Sequence, residues 1–114
     1  MKEDKIKMDA KRAVEFCFTY AQESVGGSVL THKPSIRGVA LKYILHARGL
    51  TLAKTAFILR MSKQRMNYIC NRMTDRNFDD ELGAQMCEML HINKEYFDSL
   101  CEEIGKIYGG SGQK

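Results

Sequence analysis

The side chains whose types and spacing can do recognition chemistry are concentrated at residues 62 to 68, Ser-Lys-Gln-Arg-Met-Asn-Tyr. Lysine and arginine offer charged donors, while the Gln64 and Asn67 amides carry a donor and an acceptor side by side. Read as the start of a helix, the run also sits at the positive end of the helix dipole. Other chemistries are poorly provided for. Cys17, Cys70, Cys87 and Cys101 are not at metal-ligand spacing, and three of them fall on apolar stripes. They read as reduced small hydrophobes, not as a disulfide framework or a zinc site. His32, His46 and His91 are scattered too widely to assemble a nucleophile, a base and an orienter. A Gly-rich phosphate loop and a carboxylate pair are both missing, so the expectation is a binding protein with no enzyme activity, no metal and no cofactor.

The charge of the chain is segregated. Between Lys33 and Arg76 stand ten basic residues (Lys33, Arg37, Lys42, Arg48, Lys54, Arg60, Lys63, Arg65, Arg72, Arg76) against the single acid Asp75, a net +9. Residues 77 to 114 hold three basic residues and eight acids, net −5, and residues 1 to 32 balance at zero. A solvated surface with no partner scatters its signs; this clustering points to a polyanion-binding face.

The elements that must position this face read as helices throughout. One proline, Pro34, interrupts the 114 residues. Ala13, Val14, Cys17 and Ala21 recur at helical spacing and predict a first helix over about Asp9 to Ser24, widened by Phe16, Phe18 and Tyr20. "VGGSVLTHKP" reads as a linker. Ser35 caps a helix from Ile36 to about Arg48, closed by Gly49. Thr51 caps a third, Leu52 to Leu59, with Ala53, Ala56 and Phe57 inward. Ser62 caps a fourth, Lys63 to about Asn71, with Met66 and Ile69 inward. Asp79 opens a fifth to Leu90, and Asn93 a sixth to about Tyr108. The expected organisation is an N-terminal helix and linker (1–34), a helical domain (35–108) and a flexible tail (109–114). No apolar run is long enough to span a bilayer and the start is too charged for a secretory signal, so a cytoplasmic protein with no membrane partner is expected.

Two short helices joined by about three residues form a unit that needs flanking helices to bury its apolar faces. From about Leu41 to Leu100 the chain resembles the Cro-like phage repressor family, the XRE-type helix-turn-helix domains. "LKYILHARGLT" resembles the family's first helix and its Gly-Leu-Thr corner. "LAKTAFILRMSKQRMNYICN" resembles the helix-turn-helix, with Ala56 where the two helices touch. "LGAQMCEMLHINKEYFDSL" resembles the closing helices. The chain departs from the family at Leu52, where glutamine is usual, and at Arg60, which takes the place of the turn glycine. Leu45 and Cys70 stand where many members carry an internal arginine–glutamate pair, and they are expected to meet in the core.

The resemblance implies an all-α, lambda-repressor-like fold with a central helix-turn-helix, an extra N-terminal helix and a long C-terminal helix. It implies a regulator, expected to be a dimeric repressor, that reads the major groove of double-stranded DNA. By position, Lys63, Gln64, Asn67 and Tyr68 are candidates for base contact; Gln64 and Asn67 suit adenine and Lys63 suits guanine. Thr51, Lys54, Arg60, Ser62, Arg65, Asn71, Arg72 and Arg76 are candidates for phosphate contact. The apolar stripe Phe97, Leu100, Cys101, Ile104, Ile107 and Tyr108 exceeds what a small domain needs and is expected to form a homodimer interface. The alternative is an antitoxin- or inhibitor-like protein-interaction module that keeps the fold without specific DNA binding. Leu52 favours that alternative, and the basic segment opposes it.

Overall fold

Helix boundaries in this chain are set by side-chain caps. In the computed structural model, which describes residues 2–24 and 34–109, five helices start after a cap that accepts a backbone N–H three residues on. (Among those residues the side chains at 2–3, 18–24 and 108–109 are not described.) The helices are α1 (Lys2–Ser24), α2 (Ile36–Ala47), α3 (Leu52–Leu59), α4 (Lys63–Asn71), α5 (Asp80–Leu90) and α6 (Lys94–Ile104). Their caps are Ser35 for α2, Thr51 for α3, Ser62 for α4, Asp79 for α5 and Asn93 for α6. The fold is all-helical over the described residues. A π-helical turn, Gly105–Gly109, extends α6, so the expected long closing helix ends in a wider coil.

α1 begins seven residues earlier than the apolar spacing predicts, at Lys2. Its first turns are rich in charged residues and carry few apolar ones, which is why periodicity does not find them. It lies against α6 and α2, and its inward side, Ala10, Ala13, Val14 and Cys17, belongs to the same buried cluster as the rest of the chain. The N-terminal helix is thus part of the domain's core. The linker at 25–33, the side chains of Phe18, Tyr20 and Ala21, and residues 110–114 of the expected tail lie outside the described residues.

That packing corrects the expected dimer interface. Phe97, Leu100 and Ile104 have no exposed area at all. α1 lies against α6, and Ala10, Ala13, Val14 and Cys17 share one buried cluster with Phe97, Leu100 and Ile104, so these three are covered within one chain. Cys101 is half-buried and Ile107 is half-exposed; the Tyr108 side chain lies outside the described residues.

Polar groups secure the same junction. Tyr96 Oη donates to Asp9 Oδ2 at 2.7 Å, Lys5 Nζ to the same oxygen at 3.1 Å, and Tyr43 Oη to Asp9 Oδ1 at 3.4 Å. Burial pushes the Asp9 pKa up, but the bonds from Tyr96, Lys5 and Tyr43 and the Lys5 charge outweigh it and hold it below 3.8. Phe16 of α1 stacks on His46 of α2 with ring centroids 4.3 Å apart. Leu45 and Cys70 both lie in the buried cluster, and burial pushes the Cys70 thiol up to about 12.

Candidate nucleic-acid interface

α3 and α4 pack on each other and are joined by only Arg60, Met61 and Ser62. The joint closes because Arg60 takes the left-handed conformation, φ 58° and ψ 45°, and its N–H reaches back to the end of α3. Glycine adopts that conformation easily; an L side chain does so at a cost of about 1 kcal/mol or more. The Met61 N–H then bonds Ala56 O at 3.0 Å, completing the helix end. Ala56 is buried, as the resemblance implies for the small residue between the two helices.

The inward face of α3 is not the one expected. Leu52, Thr55, Ala56 and Leu59 point in, whereas Ala53 is exposed and Phe57 is 85% exposed. Thr55 can be buried because its hydroxyl donates to Thr51 O at 2.8 Å, which satisfies the polar atom within the helix. With the helix in that phase, Phe57 and Ile58 (53% exposed) fall on its outer side.

α4 follows expectation. Met66, Ile69 and Cys70 are buried, while Lys63, Gln64, Arg65, Asn67 and Tyr68 are exposed. The four base-contact candidates therefore share the outward side of one short helix. Thr51 and Ser62 each use a hydroxyl oxygen to accept from the helix they cap, at 3.0 Å from Lys54 N and from Arg65 N respectively. Each keeps its O–H as a donor.

The basic segment divides in two. Arg37 reaches Phe78 O at 3.0 Å and Asp80 at 3.8 Å, and Arg48 bonds the carbonyls of Leu90 at 2.6 Å and His91 at 3.0 Å. Lys42 is only 5% exposed. These three cations hold the fold together, and Lys33 lies outside the described residues. Lys54, Arg60, Lys63, Arg65, Arg72 and Arg76 remain, all exposed and all on α3, α4 or the segments that border them. Neither helix contains an acidic residue.

One candidate leaves the phosphate set. Asn71 is half-buried, and both ends of its amide are engaged within the chain. Lys42 Nζ donates to Asn71 Oδ1 in a very short bond, and Asn71 Nδ2 donates to Asn67 Oδ1 at 2.7 Å. The ladder Lys42–Asn71–Asn67 runs from the core to the exposed side of α4. Burial draws the Lys42 pKa down, partly countered by Cys17 and Cys70 nearby. The sequence does carry a signal for this, since Lys42 stands three residues from both Val39 and Leu45 on the apolar stripe of α2.

Among the described residues no group of His, Cys, Asp and Glu side chains is placed to hold a metal ion, and no helix is long and apolar enough to cross a membrane. Compared with protein-family models, curated proteins and solved structures, the chain finds no match.

Proposed function

We propose that this chain binds double-stranded DNA through α4, in the manner of the helix-turn-helix regulators it resembles in sequence. The carrying observation is the surface of α3 and α4, which lacks any acid, is bordered by six exposed cations, and centres on Gln64, Asn67 and Tyr68. Cations on such a surface neutralise phosphates and fix register, while amide side chains on the outward face of a helix read base edges. On this reading Lys63, Gln64, Asn67 and Tyr68 meet bases. Thr51, Lys54, Arg60, Ser62, Arg65, Arg72 and Arg76 meet phosphates.

The test is a mobility-shift titration on random duplex and on sites selected from a random pool. If one chain neutralises three or four phosphates, log affinity falls with log salt at a slope of about −3, and at about twice that if two chains bind one site. Gln64→Ala is expected to cost about 1–3 kcal/mol on the selected site and to relax one position. Arg72→Ala is expected to weaken binding to all sequences alike and to make the slope shallower. Identical behaviour of the two variants on specific and random duplex would remove α4 from its reading role.

Phe57 and Ile58 favour a second reading. Two large apolar side chains side by side on the outer face of α3 suit a protein partner better than a phosphate backbone. In that case the chain is an interaction module, binds no duplex even at low salt, and loses its partner with Phe57→Ser while its thermal stability stays within about 0.5 kcal/mol of wild type.

A further inference from the structure

The ladder from Lys42 to Asn67 has a direction, and that direction determines what Asn67 offers to a ligand. An ammonium group has three donors and no acceptor, so the amide facing Lys42 must present its oxygen. Asn71 does so, through Oδ1. Its Nδ2 is thereby turned towards the next turn of α4, where it meets Asn67 Oδ1 at 2.7 Å. The Asn67 oxygen is thus held along the helix surface by the residue four positions on, and its NH2 group is the end left for the exposed side. Turning Asn67 over alone would set one NH2 against another, and turning Asn71 over would set an NH2 against an ammonium. The arrangement is fixed from the buried end outward.

The major-groove edge of guanine carries two acceptors, N7 and O6, and that of thymine carries O4. Adenine carries the acceptor N7 beside its exocyclic NH2, whereas cytosine carries only an NH2, which needs an acceptor. We propose that Asn67 presents its NH2 to a base with a major-groove acceptor and discriminates against cytosine, and that Lys42 sets this preference through Asn71 without touching DNA. This rests on the DNA-binding reading above. It widens the adenine contact that the residue type alone implies for Asn67. Lys42 is a positioning residue here, 5% exposed and a full ladder away from the groove.

The experiment is selection of duplex sites from a random pool by the full chain and by variants, with thermal unfolding to establish that each variant is folded. Asn67→Ala locates the position that Asn67 reads. Wild type is expected to select against cytosine there by about fivefold or more, the worth of one hydrogen bond. Asn71→Asp keeps an oxygen for Lys42 but has no NH2 for Asn67, so the Asn67 amide turns over and shows its oxygen. Cytosine is then admitted at that position, and guanine and thymine are selected against. Lys42→Met removes the anchor, leaves both amides able to turn, and flattens the preference at that position while the position read by Gln64 is unchanged. If Lys42→Met does not fold, Asn71→Asp decides alone, because that variant keeps an acceptor for Lys42 and leaves the buried residues of α4 unchanged. Cytosine selected by wild type, or a discrimination against cytosine that survives Asn71→Asp, overturns the inference and leaves DNA binding standing. A wild type that selects no site overturns the DNA-binding reading, and the inference falls with it.

Discussion

Gly38 lies in the first turn of α2, and replacing a helical glycine with alanine ordinarily stabilises a helix, by up to about 0.8–1.0 kcal/mol. The packing reverses that sign. A Cβ on residue 38 would sit 2.5 Å from the backbone oxygen of Cys70 in α4 and 2.9 Å from Ser35 Oγ, the cap of α2. An unstrained carbon–oxygen contact needs about 3.3 Å. Helix α4 would therefore have to retreat by about 0.8 Å. A retreat of that size forfeits a quarter to a half of the dispersion energy of the contacts it opens. The obstacle is backbone in a helix whose Met66, Ile69 and Cys70 are all within 1% of full burial, so no flexible side chain can give way. Overpacking of this kind costs about 1–3 kcal/mol, enough to exceed the gain in helix propensity.

Gly38→Ala should thus lower stability by up to about 2 kcal/mol net in urea unfolding, with the midpoint reduced and the slope unchanged. Gly105→Ala is the control. Its Cβ would meet only Ile36 Cδ1 at 3.4 Å, an ordinary contact, and its φ is −60°. That variant should be neutral or slightly stabilised. A rise in stability for Gly38→Ala would refute the close approach of α2 to α4, and with it the seating of α4 described above.

Arg60→Gly relieves a left-handed arginine (φ 58°) while removing a cation. Unfolding experiments should show stability unchanged or up to about 1 kcal/mol higher, with duplex affinity lower and a shallower salt slope. Leu100→Ala should cost about 2–5 kcal/mol, because Leu100 is fully buried within the chain, and sedimentation should show no change in oligomeric state. Asp9→Asn tests the junction of α1, α2 and α6. With its folded pKa below 3.8, ionised Asp9 contributes stability that is complete above pH 3.8 and is lost as pH falls through the lower folded value. The gap between wild type and Asp9→Asn in urea unfolding should therefore be full near neutral pH and narrow in acid.

The starts of α2 to α6 are legible because Ser35, Thr51, Ser62, Asp79 and Asn93 are short polar side chains placed just ahead of apolar periodicity, and each does accept the N–H three residues on. Three features are not legible, for different reasons. The phase of α3 turns on Thr55, whose hydroxyl is satisfied inside its own helix and so behaves as an apolar surface. Hydropathy ranks Phe57 above Thr55 and points the helix the wrong way. The partner of the α6 stripe is not legible either, since the small residues Ala10, Ala13 and Cys17 give little sign that they cover anything as large as Phe97. The candidate site is legible as a set of exposed residues on α4. Its internal wiring is not, because residue type leaves the orientation of a side-chain amide open and only a fixed neighbour such as Lys42 settles it.

That neighbour belongs to a wider pattern on α2 and its C-terminal cap. Arg37 holds the segment before α5 through Phe78 O and Asp80, Lys42 holds α4 through Asn71, Tyr43 holds α1 through Asp9, and Arg48 caps the end of α5. The N–H of Ile36 at the start of α2 is in turn taken by Asp75 Oδ1 at 2.7 Å, from the segment after α4. Together these ties reach α1, α4, α5 and the segment between α4 and α5, so α2 works as the organising strut of the domain. A charge count cannot separate such ties from a binding face, and of the +9 between residues 33 and 76 three cations belong to the strut. The separation does have a physical signature. The strut cations bond backbone carbonyls, a carboxylate or the half-buried Asn71 amide; the cations around α3 and α4 are exposed on, or beside, two helices with no acid of their own. Removing a strut cation takes away bonds to part-buried acceptors and costs stability, whereas removing an exposed cation such as Arg65 leaves the fold largely alone and weakens the ligand. Arg48→Ala and Arg65→Ala should separate on that axis, the first in urea unfolding and the second in duplex affinity, and equal loss of stability in both would erase the division between strut and interface.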